Sequence, residues 1–379
     1  MAQHPVRVCF INPYGYRLFG ADGAAGARAF GGAEVQLYYL ATGLAALPGF
    51  DVSMIVEGSA DQIAPEAQGV RMLPVQPQPS WVDTVHGLIP FPSVPYLRAM
   101  RAANADVYVQ RGGAVLTGDV RLFCRAAGRS FVFMVAHDWD CDHHHGAGWH
   151  RLRGRYYEAG LRGADLVFAQ SEWQRDTLGA HHGIDAPVFR SVHPDIPPGT
   201  VPPAYVLWVG RCVPWKRPLA FLELAAQFPR TRFVMIAPGY PGQEALRAQA
   251  QRSAAALGNV TVYDFVPFPQ MADFFAAAIA YVNTSDAEGF PNTFIQAARA
   301  AVPVISLRVD PDGLLGREGM GACADGDPAR MAAELGRLVS DGQERSSLGQ
   351  RGREYFLRTH DLAAGLAVFS QAMERQLTR

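Results

Sequence analysis

At 379 residues the chain is longer than a single hydrophobic core usually organises, so two domains are expected. Hydrophobic residues make up 49% and charged residues 18%, so each half can bury a core; a formal net charge of -1 excludes the basic footprint of a nucleic-acid binder. Cys9, Cys124, Cys141, Cys212 and Cys323 are scattered without a CxxC pair, which excludes a disulfide framework and a structural zinc site.

Met1 to Pro5 carries no basic region leading into an apolar run, and no later stretch reaches about 18 apolar residues. A cytoplasmic protein is therefore expected, with Arg151, Arg153 and Arg155 either a solvated helix face, the commoner case for spaced arginines, or a peripheral contact at the inner membrane face. In chain order, the β-branched run Val6–Ile11 reads as a strand, residues 14–30 as a long Gly- and Ala-rich loop, and residues 33–47 as a helix. Short buried-strand signatures follow at 52–56, 107–110, 131–136 and 166–169, with helical stretches between several of them, the pattern of a parallel sheet wrapped by helices. Residues 193–203, HPDIPPGTVPP, cannot hold a helix or a central strand and suit a semi-rigid linker.

After this linker the alternation restarts. Strands are expected at Tyr205–Val209, Phe233–Ile236, 261–263, 279–283 and Val304–Ser306, with helices at 218–227, 243–257, 271–277 and 292–301. The tail from Asp327 reads as helical, and its last helix, 362–377, is expected to cross back to the first domain. The expected class is α/β: two Rossmann-like doubly wound domains over 1–195 and 204–358, facing across a cleft, with 359–379 as the terminal helix.

Two motifs carry chemistry. Gly210-Arg211-Cys212-Val213-Pro214-Trp215-Lys216 puts two cations five residues apart just after a strand, where both can reach a phosphate. Lys216 is the only lysine; the other 33 basic side chains are arginine, so a site shaped around one compact ammonium is indicated. The second motif runs from Ser285 through Glu288-Gly289-Phe290-Pro291-Asn292-Thr293 to Gln296. Glycine and proline set a turn, the amides of Asn292 and Thr293 open a helix as an anion site, and Glu288 beside them suits sugar hydroxyls. The alternative is a capped helix whose dipole Glu288 complements.

Together these motifs resemble the retaining nucleotide-sugar glycosyltransferases of family 4, which have the GT-B fold. The resemblance is close over the second domain and weaker over the first, where it rests on Gly31-Gly32-Ala33-Glu34 and on His137. It implies that Gly31 and Gly32 let the backbone approach a diphosphate, that His137 contacts the transferring sugar, that Glu288 binds sugar hydroxyls and that Arg211 with Lys216 holds the diphosphate. It implies a UDP- or GDP-sugar, no metal or other cofactor, and a glycan or lipid-linked acceptor in cell-surface glycan synthesis. Gln296 stands where the family usually has the Glu that grips the ribose.

Other classes are left open by particular residues. His137-Asp138-Trp139-Asp140-Cys141-Asp142-His143-His144-His145 contains enough metal-ligand chemistry for a metallohydrolase, although contiguous histidines point in different directions and no HExxH accompanies them; a polar loop facing the acceptor is the leading alternative. Gln296 motivates a non-catalytic sugar-nucleotide binder or a transferase partner subunit. An epimerase of a nucleotide sugar ranks below a transferase, because the Arg-Lys pair and the turn at Glu288 both resemble the transferases.

Overall fold

The computed structural model describes residues 4–20, 31–76, 92–142, 149–199 and 201–376; the expected loop over 14–30 and the run His143 to His145 fall partly or wholly outside them. The chain divides into two compact units, one of the described residues up to 192 together with 362–376, the other of residues 193–361.

The first unit is built on a seven-stranded sheet of β1 (Val6–Ile11), β2 (Phe50–Glu57), β3 (Glu66–Ala67), β4 (Val70–Val75), β5 (Val107–Arg111), β6 (Ser130–Met134) and β7 (Leu166–Phe168). Their order is β3-β4-β2-β1-β5-β6-β7, parallel except where β3 pairs with β4. Alternation along β1 explains why helices cover both faces. Val8 and Phe10 enter a core with Leu37, Leu40 and Leu44 of helix Gly32–Ala45 and Phe369 and Met373 of helix Leu362–Gln376. Cys9 and Ile11 enter a second core with Met100 and Val120, from helices Val94–Ala103 and Val115–Ala127. The first core needs a close helix crossing: a Cβ on Gly43 would come within 2.4 Å of Leu366. The C-terminal helix thus folds as part of the first unit.

The second unit repeats the plan with β8 (Tyr205–Val209), β9 (Phe233–Ile236), β10 (Val260–Tyr263), β11 (Ala278–Asn283), β12 (Val304–Ser306) and β13 (Gly321–Cys323), all parallel in the order β10-β9-β8-β11-β12-β13. Along β8, Val206 and Trp208 face one core and Leu207 the other. In both sheets the chain reverses its direction of growth beside the first strand, between β1 and β5 and between β8 and β11. Crevices at the carboxyl ends of such strand pairs are where doubly wound sheets bind ligands.

The 193–203 segment holds no helix or named strand among its described residues, but it is anchored: His193 bridges to Asp361 and its N–H donates to the carbonyl of His360 at 2.9 Å. Strand β4 is not anticipated by the sequence pattern because it contains Pro74. That proline is tolerated since β3 reaches only Val70 and Arg71, leaving Pro74 on an unpaired edge where no N–H is required.

Candidate active site

The carboxyl ends of β8 and β11 bring the two motifs together. Beyond β8 the chain makes one 3₁₀ turn, Pro214–Lys216, then enters helix Pro218–Ala226 through Arg217, a non-glycine residue at φ 47°. Such a conformation costs about 1–2 kcal/mol and persists only where neighbours fix it. They do so here through three consecutive carbonyls. The N–H of Asp286 donates to Trp215 O at 2.8 Å, and the Thr284 hydroxyl lies 2.7 Å from Lys216 O and 3.0 Å from Arg217 O while accepting from the Trp208 indole N–H at 2.9 Å. The lysine-bearing turn is therefore pinned to the glutamate-bearing loop before any ligand arrives.

On this scaffold Lys216 Nζ lies 2.5 Å from Glu288 Oε2, with side-chain exposures of 17% and 15%. The other carboxylate oxygen accepts from Ser285 Oγ at 2.7 Å and Asn283 Nδ2 at 2.9 Å. Burial pushes the Glu288 carboxyl upward, but the Lys216 ammonium and the hydrogen bonds from Ser285 and Asn283 outweigh it and hold the group below its ordinary value. Glu288 is thus a fixed carboxylate, presented by a tight network next to the one ammonium in the chain.

Gly289 and Pro291 are buried, and Phe290 is packed in the core of the unit. Helix Asn292–Arg299 then starts with Pro291 at its N-cap and no side-chain cap, so the capped-helix alternative does not hold. Asn292 Oδ1 lies 3.4 Å from His193 Nε2, and Thr293 is half-buried in the same first turn. Gln296, one turn further, is buried. Gly210 is small because a Cβ there would come within 3.1 Å of the Trp208 ring. The Arg211 guanidinium lies over the Tyr240 ring, 5.2 Å from its centroid.

In the first unit, Gly31 caps helix Gly32–Ala45 and its N–H donates to Glu34 Oε2 at 2.7 Å. His137 lies beyond the end of β6, which stops at Met134. Its Nδ1 accepts from the Trp139 N–H at 3.3 Å, so the neutral ring carries its proton on Nε2. Asp140 holds this turn: its carboxylate accepts from the N–H groups of Ala136, His137 and Gly113 at 2.8, 2.9 and 3.1 Å. Burial nevertheless pushes the Asp140 carboxyl upward, the three amides offsetting it only in part.

Sequence reasoning missed Trp208, Asn283, Thr284 and Arg111, and it named Ser285 and Asp140 without the supporting roles the structure gives them. Arg111 ends β5 and is buried; Nη2 donates to Gln170 Oε1 at 2.5 Å and Ser191 Oγ at 2.9 Å, while Nε and Nη1 find no partner among the described residues. Desolvation lowers its pKa to about 10, with Asp140 and Glu34 countering. The available signal was an arginine closing an apolar strand before Gly112-Gly113. No group of three or more metal-ligating side chains occurs among the described residues, and His143 to His145 lie outside them.

Residues 203–341 match the family described as glycosyl transferases group 1, and residues 30–194 match glycosyltransferase family 4. A D-inositol 3-phosphate glycosyltransferase from Streptomyces bingchenggensis is 29% identical over 246 residues, 55% of this chain and 53% of the relative. The chain thus spans about half the length of that curated relative. Sucrose-phosphate synthase from Thermosynechococcus elongatus superposes with a TM-score of 0.75 at 17% identity, covering 99% of both chains. Anabaena HepE, solved with UDP and glucose, gives 0.73 at 16% identity, covering 97% of this chain and 99% of its own. At such identities the two structures establish a shared fold.

Proposed function

The chain belongs to the family 4 glycosyltransferases of GT-B fold, and we propose that it moves a hexose from a UDP- or GDP-linked donor to an acceptor hydroxyl, retaining the anomeric configuration and using no metal. The observation that carries this reading is the Lys216–Glu288 pair at the β8/β11 switch point, four residues before an N-terminus that no side chain caps. An ammonium and helix-start amides suit a diphosphate; a fixed carboxylate suits hydroxyls. A nucleotide diphosphate sugar offers both in one molecule.

In this reading the incoming diphosphate competes with Glu288 for Lys216, which frees carboxylate lone pairs for the sugar. As the bond from the anomeric carbon to the phosphate oxygen breaks, negative charge grows on the diphosphate, where Lys216, Arg211 and the helix dipole stabilise it. The departing oxygen takes the proton of the acceptor hydroxyl while the acceptor oxygen bonds to the anomeric carbon on the same face, so configuration is kept without a protein nucleophile. On the first unit, Gly31 and Gly32 offer a helix N-terminus and His137 an Nε2–H donor for a sugar hydroxyl.

The proposed acceptor is a glycan or its lipid carrier in cell-surface polysaccharide synthesis, met by a cytoplasmic protein at the inner membrane face. Supporting peripheral contact, three neighbouring helices of the first unit expose Arg98, Arg101, Arg125, Arg151 and Arg155 together with Leu122 and Leu152. No helix among the described residues is long and apolar enough to cross a membrane.

The test is thermal unfolding with a panel of nucleotide diphosphates and their sugars, without divalent metal and with Lys216→Ala as control. One nucleotide is expected to raise the melting temperature selectively, by the equivalent of about 2.7 kcal/mol at a hundredfold excess over Kd, and to lose the effect in the variant. No shift from any nucleotide would sink the reading. Gln296→Glu is expected to tighten the same nucleotide about tenfold, because a carboxylate grips ribose hydroxyls with charge assistance. It should also lower the ligand-free melting temperature by burying an unpaired charge. Unchanged affinity by calorimetry would remove Gln296 from the ribose site.

A further inference from the structure

We propose that Trp139 is the platform on which a sugar ring of the acceptor glycan stacks, with His137, which the family resemblance gives to the transferring sugar, instead the adjoining hydrogen-bond donor to the acceptor; this rests on the transferase reading. Trp139 is 56% exposed. A single exposed apolar side chain on a mobile loop would mean nothing. This indole is held in place. It sits in the 3₁₀ turn Asp138–Asp140, which the Asp140 carboxylate ties to the amides of Ala136, His137 and Gly113. The carbonyl of Asp140 accepts from the Tyr157 hydroxyl at 2.7 Å, and Asp138 accepts from Gln174 Nε2 at 2.8 Å. One side of the indole lies along the His137 ring, with centroids 4.3 Å apart and planes 34° from parallel.

The result is a rigid, half-open aromatic surface beside an imidazole whose Nε2 carries a donor proton, just beyond the carboxyl end of β6. A pyranose has a face of C–H groups and a rim of hydroxyls. An indole covers such a face without ordering a flexible side chain, and an adjoining N–H takes a rim hydroxyl. An acyl chain or apolar peptide would use the indole and leave the donor unmatched. Of the two sugars in the reaction, the acceptor is favoured: the fixed Glu288 carboxylate is already assigned to the hydroxyls of the donor sugar, which leaves the stacking surface to the other one.

The experiment uses the full chain saturated with the nucleotide diphosphate that stabilises it, and the methyl α- and β-pyranosides of glucose, galactose and mannose as probes, followed by saturation-transfer NMR. At least one glycoside is expected to bind the wild type. Trp139→Ala should weaken it about tenfold or more and Trp139→Phe by no more than about threefold, since a smaller aromatic face remains. Nucleotide stabilisation should be the same in all three proteins. The proposal is overturned if Trp139→Ala binds the glycosides like the wild type, if no glycoside binds a wild type that nucleotide stabilises, or if the alanine variant also loses the nucleotide response, which would move Trp139 to the donor. Should no nucleotide stabilise the wild type while the ligand-free protein binds a glycoside in a Trp139-dependent way, the transferase reading fails and the sugar platform stands.

Discussion

Lys216→Ala is expected to lower kcat/KM for transfer by about a thousandfold and to destabilise the second unit by about 3 kcal/mol, the two largest losses foreseen for any single side chain of the site. Stability falls because Glu288, 15% exposed, keeps its charge and its hydrogen bonds from Ser285 and Asn283 while losing the ammonium 2.5 Å away. Activity falls because the cation assigned to the departing diphosphate is gone. Lys216→Arg is expected to recover less than a tenth of the activity. A planar fork cannot replace a compact ammonium in a turn whose three carbonyls are already pinned by Thr284 and Asp286. Chemical denaturation and steady-state kinetics check both halves. If the alanine variant unfolds like the wild type, the ion pair is not formed in solution; if it turns over like the wild type, Lys216 does not serve the diphosphate.

The strand framework was readable because β1, β5, β8, β11 and β12 are buried on both faces and leave near-continuous apolar runs bounded by turn residues. Strand β4 was not, because an edge position lets Pro74 stand in a strand and so erases the pattern. The candidate site divides along the same line. Lys216 and Glu288 stood out because each is the odd residue in its surroundings, a lone lysine and an acid next to a helix start. Asn283 closes an expected strand and Ser285 opens the motif, but nothing local says that Thr284 between them reaches back to Lys216 and Arg217 nearly 70 positions earlier. Asp140 was lost for another reason: among the acids and histidines of 137–145 its composition suggested ligation, whereas its geometry is that of a buried acceptor for three amides. Chemistry at a strand end is legible from residue types; the supports that fix its geometry depend on tertiary contacts.

Glu288→Gln should cut transfer about a hundredfold or more while the nucleotide diphosphate, which has no sugar and no longer competes with a carboxylate for Lys216, stabilises the variant at least as much as the wild type. The amide is close to isosteric, so Ser285 and Asn283 can still donate to its oxygen; its NH₂, however, faces the Lys216 ammonium as donor against donor. The two proteins should also part with pH in a definite direction. The folded-state pKa of Glu288 lies below its ordinary 4.5, so its ionised form is favoured by folding. Its contribution is fully present above about 4.5, the unfolded value, and is lost as pH falls through the lower folded value, because the unfolded chain then binds the proton first. Unfolding free energies at pH 7 should therefore differ clearly between wild type and Glu288→Gln, and the difference should shrink as the pH is taken below 4.5. A difference that stays constant across that window would mean that Lys216 does not hold the carboxylate ionised. The loss of transfer would then have to be explained by shape alone, with the sugar hydroxyls recognised by the Ser285–Asn283 network rather than by charge.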